Sequence, residues 1–476
     1  MKFAYYIVVP ILIVLNGVLN LRVINLFVTL PAILVVLFFL SRKKTTEALF
    51  WHTIFFVTSY SNILSEDFIL FYGIDSNTSY NYAHFSFHGI RYSLVITYLI
   101  LLVQHSRKKL SALAKQTAFY KLYRFLLYCV VTGFVLGSLG LMVLDYSFHN
   151  FLNYGYYALF CFGFAYSYLF EYETTLKDNL YAAVPYIISV AVLFGFIGSF
   201  FGLKANLIVI GSTSLGAYCF VLIPLLVFDK KNILYLIIIG LQLYSMTAST
   251  SGKQIYSLII MFAAAFILSF MKRAQNNLGK SHLFFVRLLF FLVILGYPML
   301  KQTAFSVAEE RESNSLEWKM ENVETMSNFF MGQSSMKSVS RSPYIRLAEI
   351  SNIIYEDIQN PLYLLFGRGF GGYYRDELHL FTGIDLAKGA FSDDQIRSGK
   401  FSYGHDSFVT VPMLNGFIGF FLLIYVIVAT CKQSPQNYLY LTSLMLLLLW
   451  FYFDILMGVI GVVLLFAAEH RTPKRI

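Results

Sequence analysis

The feature that most limits this chain is its succession of apolar runs, most of them long enough to cross a lipid bilayer, separated by short polar loops. The runs fall at about 4–20, 23–40, 48–72, 87–104, 124–144, 152–170, 181–201, 206–228, 233–249, 254–271, 284–300, 407–430, 438–453 and 455–468. Backbone placed in lipid must satisfy its own hydrogen bonds, which favours helices. The expectation is an all-α fold, a polytopic transmembrane helix bundle of about 14 spans. Composition points the same way. Of the 476 residues 58% are hydrophobic and 13% are charged, about half the charged share of soluble domains. A soluble fold of this size has nowhere to hide so much apolar surface.

A net charge of +10 would suggest nucleic acid in a soluble protein. Here the excess sits in short loops, so no nucleic-acid partner is implied. With a cytoplasmic N-terminus, one side collects Arg42, Lys43 and Lys44, then Arg107, Lys108, Lys109 and Lys115, then Lys177, Lys230 and Lys231. The same side takes Lys272, Arg273, Lys280 and Lys432, and the tail residues Arg471, Lys474 and Arg475. The short loops of the other side hold little beyond Arg22, Lys204 and Lys253. That asymmetry predicts a multi-pass membrane protein with both termini in the cytoplasm. The first run follows Lys2 without a small-residue cleavage site and reads as a retained helix. Residues 438–468 read as two short spans turning at Asp454, because one span would place the basic tail outside. Cys129, Cys161, Cys219 and Cys431 form no CxxC pair and read as small core residues, neither a disulfide framework nor a metal site.

One loop differs from the rest. Residues 1–300 hold eleven spans, 301–406 form one large periplasmic loop, and 407–476 return to the membrane. Within the loop, Val307 to Phe330 is polar and compatible with helix, and Gln333 to Ser342 is serine-rich and reads as mobile. Ser342-Pro343 supplies a cap and a first-turn proline. A helix is predicted from there to about Gln359, ending before Pro361. Its apolar face would be Ile345, Ile350, Ile353 and Ile354, with Leu347 beside them, laid on the spans as a lid or shelf.

The loop ends in Gly404-His405-Asp406-Ser407, where the chain returns to the membrane. Imidazole at a bilayer surface can act as a base near neutral pH. On spacing alone, the plainer reading of an interfacial histidine with a structural hydrogen bond stands ahead of the catalytic one. Gly416 and Gly419 follow about three turns deeper, one turn apart on one helix face, where small residues let another helix or a lipid chain approach.

This run resembles the bacterial O-antigen ligase and O-antigen polymerase superfamily. That family carries His, then Asn, Ser or Gln, then nine residues, then Gly-x-x-Gly. Here His405 is followed by Asp406, a departure, and then by nine residues to Gly416-Phe417-Ile418-Gly419. Pro343-Tyr344-Ile345-Arg346, Asn360-Pro361-Leu362 and Phe366-Gly367-Arg368-Gly369-Phe370-Gly371 look like the arginine-bearing helix, Pro-Leu step and glycine turn of the family's outer loop. Ser249-Thr250-Ser251-Gly252-Lys253-Gln254 looks like its Ser-Arg element, with Lys253 in place of arginine. The likeness runs from 249 to 419, and the N-terminal half matches only in hydropathy.

The resemblance implies a metal-independent, cofactor-free glycosyltransferase, an O-antigen polymerase of lipopolysaccharide biosynthesis. It would move a growing glycan from undecaprenyl pyrophosphate to the terminal sugar of an incoming lipid-linked repeat unit on the periplasmic face. Arg346 and Lys253 would hold the pyrophosphate, Arg368 is a second phosphate candidate with amides for an anion nest, and His405 would deprotonate the acceptor. The partners implied are the undecaprenyl-pyrophosphate-linked oligosaccharide, membrane lipid and a chain-length regulator protein. A ligase transferring the glycan to lipid A core is the alternative from the same family. A polysaccharide flippase or transporter is the alternative from another class, and it predicts mid-span charges and repeated halves that the sequence does not display.

Each assignment has a plainer counterpart: an Arg346–Glu349 pair on an exposed helix, a snorkelling Lys253, a turn-forming Arg368. His84, His88 and Arg91 read as a helix start at the interface, and Glu66, Asp67, Asp145 and His149 as solvated edge residues.

Overall fold

The computed structural model describes residues 4–19, 22–60, 80–83, 85–87, 90–106, 118–152, 162–166, 174–200, 219, 222, 233–248, 325, 328–329, 331–336, 341–381, 391, 393–402, 404, 407–433 and 462–463. These residues are mostly helical. In chain order they form α1 (Ala4–Ile13), α2 (Arg22–Ser41), α3 (Thr45–Tyr60), β1 (Ser86–Phe87), β2 (Ile90–Arg91), α4 (Tyr92–His105) and α5 (Ala118–Val143). There follow α6 (Phe148–Leu152), α7 (Thr174–Phe200), α8 (Ile233–Ala248), α9 (Arg341–Gln359), α10 (Pro361–Phe366), α11 (Asp393–Ser398) and α12 (Ser407–Gln433). The β1–β2 hairpin, with Ser86 opposite Arg91 and Phe87 opposite Ile90, is a small departure from the all-α expectation.

Among the described residues, four helices are long and apolar enough to cross a membrane: Val23–Ser41, Tyr120–Val143, Thr175–Phe194 and Val409–Val426. Ala4–Asn16, Tyr92–His105 and Leu234–Leu243 are apolar but shorter. All seven coincide with predicted runs. The runs at 206–228, 254–271, 284–300 and 438–468 lie wholly or largely outside the described residues.

By contact, the chain divides into two compact units. One comprises Met1–Val184, Ile345–Gln433 and Leu447–Ile476, and the other Pro185–Tyr344 and Ser434–Leu446. The later part of the predicted loop, from Ile345, falls in the same unit as the first helices. Within that unit α3 packs on α1, α2 and α4, while α12 packs on α5 and α10.

The N-terminal helices enclose a polar knot. His52 on α3 is fully buried, with Nδ1 2.6 Å from the Tyr82 hydroxyl and Nε2 2.7 Å from the Thr97 hydroxyl. Its ring stacks on Phe162, with centroids 5.0 Å apart. Next to it on the helix, Thr53 Oγ1 meets the Tyr166 hydroxyl at 2.6 Å. Both ring nitrogens therefore have partners, as a polar group in an apolar bundle requires. No predicted site residue lies in this knot.

Candidate functional site

The site is best built from α9. Pro343 sits in its first turn, where a missing N–H costs nothing, and the helix ends at Gln359 because Pro361 follows. The end agrees with the sequence reading, while the start comes two residues earlier, so that Ser342 lies inside the helix and not at its cap. Asn360 then caps α10: its side chain accepts from the Leu362 amide at 3.2 Å, with Pro361 at the first helical position.

The buried face of α9 is not the predicted apolar one. Ile345 and Ile353 are inside, but Ile354 is exposed and Leu347 and Ile350 are half-buried. Glu349, Asn352 and Asp357 take the remaining inner positions. Each has a partner from further along the chain. The Tyr374 hydroxyl donates to Glu349 Oε1 at 3.0 Å. Asn352 Nδ2 donates to Asp376 Oδ1 at 2.9 Å, and its Oδ1 accepts from the Leu378 amide at 3.0 Å. Asp376 also accepts from the amides of Leu380 and Phe381, both at 2.9 Å, and so shapes that turn. Tyr374 pairs through its backbone with Phe401, whose ring closes a cluster with Phe381 and Phe391. Glu349 is therefore a buried partner of Tyr374, not a member of an exposed helix face. Burial, with the Glu349 carboxylate beside it, pushes the Tyr374 hydroxyl well up from its ordinary pKa.

Arg368 is buried as well, 2% exposed. Its Nη1 donates to Glu356 Oε2 and to the Tyr373 carbonyl, both at 2.6 Å. Its Nη2 donates to Asp357 Oδ1 at 2.8 Å. Burial raises both carboxyls above their usual range, and the guanidinium opposes the rise without cancelling it. One arginine thus clamps two successive acids of α9 onto the glycine turn.

The turn's amides are committed as well. Arg368 N donates to the Met413 carbonyl at 2.8 Å, Gly369 N to the Leu414 carbonyl at 3.0 Å and Phe370 N to the Gly133 carbonyl at 2.8 Å. Arg368 thus clamps protein carboxylates, and three amides of its turn meet helix carbonyls. The cation and the amides expected to serve phosphate serve protein carboxylates and carbonyls instead.

The Met413 and Leu414 carbonyls lie just before a break in α12. Gly416 has φ 65° and ψ −172°, a conformation essentially restricted to glycine. Pro412, which lacks an N–H, lies one turn earlier. The break leaves carbonyls that the turn satisfies, the usual condition for irregular backbone at membrane depth. Gly416 and Gly419 therefore do not share the face of one straight helix. A Cβ on Gly416 would lie 2.3 Å from the Leu365 carbonyl oxygen of α10, whereas one on Gly419 would lie 2.6 Å from Asn415 Cβ and 3.6 Å from the Tyr128 ring of α5. On α5, Gly133 and Gly137 receive Phe370: a Cβ on Gly137 would lie 2.3 Å from its carbonyl oxygen. These two glycines escaped the sequence reading, although their four-residue spacing in an apolar run was the available signal.

Around the upper end of α5 and α12, Lys400 Nζ meets Asp145 Oδ2 at 2.8 Å and lies 4.9 Å from the Tyr373 ring centroid. Asn150 Nδ2 donates to Ser402 Oγ at 3.0 Å. The Lys400 ammonium holds the Asp145 carboxyl below its ordinary pKa. The C-terminal end of α5 and the N-terminal end of α12 accordingly lie on the same side.

Arg346 is half-buried on α9, one turn before the Ala348–Glu349 contact layer. Gly404 and Ser407 bracket His405, and the Gly404 carbonyl accepts from Thr410 Oγ1 at 3.5 Å. His405, Asp406, Lys253, Glu66, Asp67, His84 and His88 lie outside the described residues, as does the side chain of His149. Among the described residues no group of three or more His, Cys, Asp or Glu side chains could hold a metal. No protein-family model, no curated protein and no solved structure matches this chain.

Proposed function

We propose that the chain is a membrane-bound glycosyltransferase of the periplasmic face, an O-antigen polymerase that extends a surface polysaccharide on undecaprenyl pyrophosphate. The observation that carries this reading is the packing of α9, the glycine turn and the first half of α12 as one body at one end of α5. That body brings the helix bearing Arg346 together with the helix that His405 precedes. It also supports the residue pattern from Pro343 to Gly419 that resembles the family.

In the reaction, His405 takes the proton of the acceptor hydroxyl as its oxygen attacks the anomeric carbon of the donor glycan. The bond from that carbon to pyrophosphate breaks, and undecaprenyl pyrophosphate departs with the electron pair. Arg346 offers a two-pronged guanidinium to the departing charge. Arg368 has no part in this step, because its charge is committed to Glu356 and Asp357.

The test is turnover of purified protein on lipid-linked repeat units. Arg346→Ala is expected to abolish polymer and Arg346→Lys to restore part of it, since lysine keeps the charge but not the fork. His405→Ala is expected to slow turnover by at least about 100-fold with donor binding retained. Turnover of both alanine variants within a few-fold of the parent would sink this assignment. The topology is tested separately: reporters fused after Lys44, Lys109 and Lys231 should read cytoplasm, and one at Ser335 periplasm. A cytoplasmic signal at Ser335 would put the loop on the wrong face for this substrate.

A further inference from the structure

α9 and α10 wear their apolar residues outward. Ile354, Tyr355, Ile358, Leu362, Leu365 and Phe366 are exposed, Ile358 and Leu362 at 65% and 66%, while the carboxylates of the same helix are inside. A loop in water is not expected to present such a stripe. Its level along the spanning helices explains it. The Leu365–Phe366 backbone touches Gly416, about 10 Å inside the apolar stretch that begins at Val409. Phe370 bonds to Gly133, about 15 Å from the Val143 end of α5. Those two ends lie on the same side, joined through Asp145–Lys400 and Asn150–Ser402. α10 is a six-residue helix, so all of it lies within about 9 Å of that level. Neighbouring parts of α5 and α12 expose Phe134, Val135 and Phe421 in the same way.

We propose that α10 and the glycine turn form a re-entrant segment that enters the bilayer from the side where α5 ends and α12 begins. Ile358, Leu362, Leu365 and Phe366 lie against lipid acyl chains. The polar groups that follow the segment inward face protein: Arg368 meets Glu356 and Asp357, and the turn amides meet helix carbonyls. This is the form in which non-helical backbone is tolerated at membrane depth. The occupant of the stripe is bilayer lipid, because its depth and its continuity with the outer faces of spanning helices demand an apolar solvent.

The experiment places a benzoylphenylalanine photo-crosslinker at Ile358, Leu362, Phe421 or Glu377 of the full chain in dioleoylphosphatidylcholine vesicles. Ile358 and Leu362 are exposed, so either variant folds, and one suffices if the other does not. Irradiation followed by mass spectrometry is expected to give lipid adducts at Ile358 and Leu362 in a yield within about twofold of Phe421, and none at Glu377. Dimeric protein adducts at Ile358 or Leu362 would overturn the proposal in favour of a second copy of the chain. Absence of lipid adduct at both positions, or at Phe421 itself, would overturn it as well. The readout is independent of catalysis, so it stands apart from the polymerase assay.

Discussion

Replacing Arg368 with alanine is expected to cost about 3–5 kcal/mol of stability, the usual loss when one partner of a buried ion pair is removed. Glu356 and Asp357 would be left facing each other across the space of the guanidinium, with burial already holding both carboxyls above their usual range. Withdrawal of Arg368 removes the guanidinium that opposes that rise and leaves Glu356 only the Arg375 amide, so both pKa values climb further. The sign with pH follows. A carboxyl whose folded pKa is raised above the unfolded value burdens the fold above that pKa and is relieved as pH falls through it. The deficit of Arg368→Ala should thus be larger at about pH 8 than at about pH 5. Adding Glu356→Gln and Asp357→Asn to Arg368→Ala should restore most of the loss, since the uncompensated charges are then gone. Thermal unfolding midpoints of detergent-purified variants measure all three effects. A parental midpoint for Arg368→Ala would mean the clamp is dispensable, and the phosphate role would then return to this residue.

Gly416→Ala should prevent accumulation of folded protein. The left-handed conformation at φ 65°, ψ −172° costs a non-glycine residue about 1–3 kcal/mol. To this is added a clash, because the new Cβ would lie 2.3 Å from the Leu365 carbonyl oxygen. Main chain cannot swing aside as a flexible side chain can, so α10 must lift away from α12. The turn's hydrogen bonds to Met413 and Leu414 are then strained together with it. Gly240→Ala in α8 is the contrasting change: nothing lies within 4 Å of its Cβ position. Alanine there is expected to be stabilising by about 0.5–1 kcal/mol. Folded yield by size-exclusion chromatography of fluorescent fusions separates the two. Equal yields for Gly416→Ala and the parent would show that α12 runs straight through residue 416 in solution.

The sequence disclosed some features well, and for identifiable reasons. Helix α9 was legible because both its ends are written locally, in Ser342-Pro343 and in Asn360-Pro361. The apolar helices were legible because hydropathy over a span-length window needs no tertiary information. The inner face of α9 was not. Periodicity assigns isoleucines inward, and Ile345 and Ile353 are, yet Glu349, Asn352 and Asp357 are enclosed with them, because Tyr374, Asp376 and Arg368 arrive from a later stretch to receive them. Arg368 misled for a related reason. A cation between glycines suggests an anion site, and the anions proved to be the chain's own carboxylates. His52 illustrates the remaining gap: a lone histidine in an apolar run warrants attention by itself, but its partners Tyr82 and Thr97 are set only by folding.

The broken helix also sets an order for biogenesis. α5 leaves the ribosome long before the glycine turn, and the turn before α12. When α12 forms, the carbonyls of Met413 and Leu414 take the amides of Arg368 and Gly369, which must already be at hand. The chain must deliver its loop, hold α5 with Gly133 and Gly137 uncovered, and only then close the three pieces around residues 367–370. Closure is therefore a late and cooperative event in synthesis. A chain that stops short of α12 leaves the turn without two of its three carbonyl acceptors.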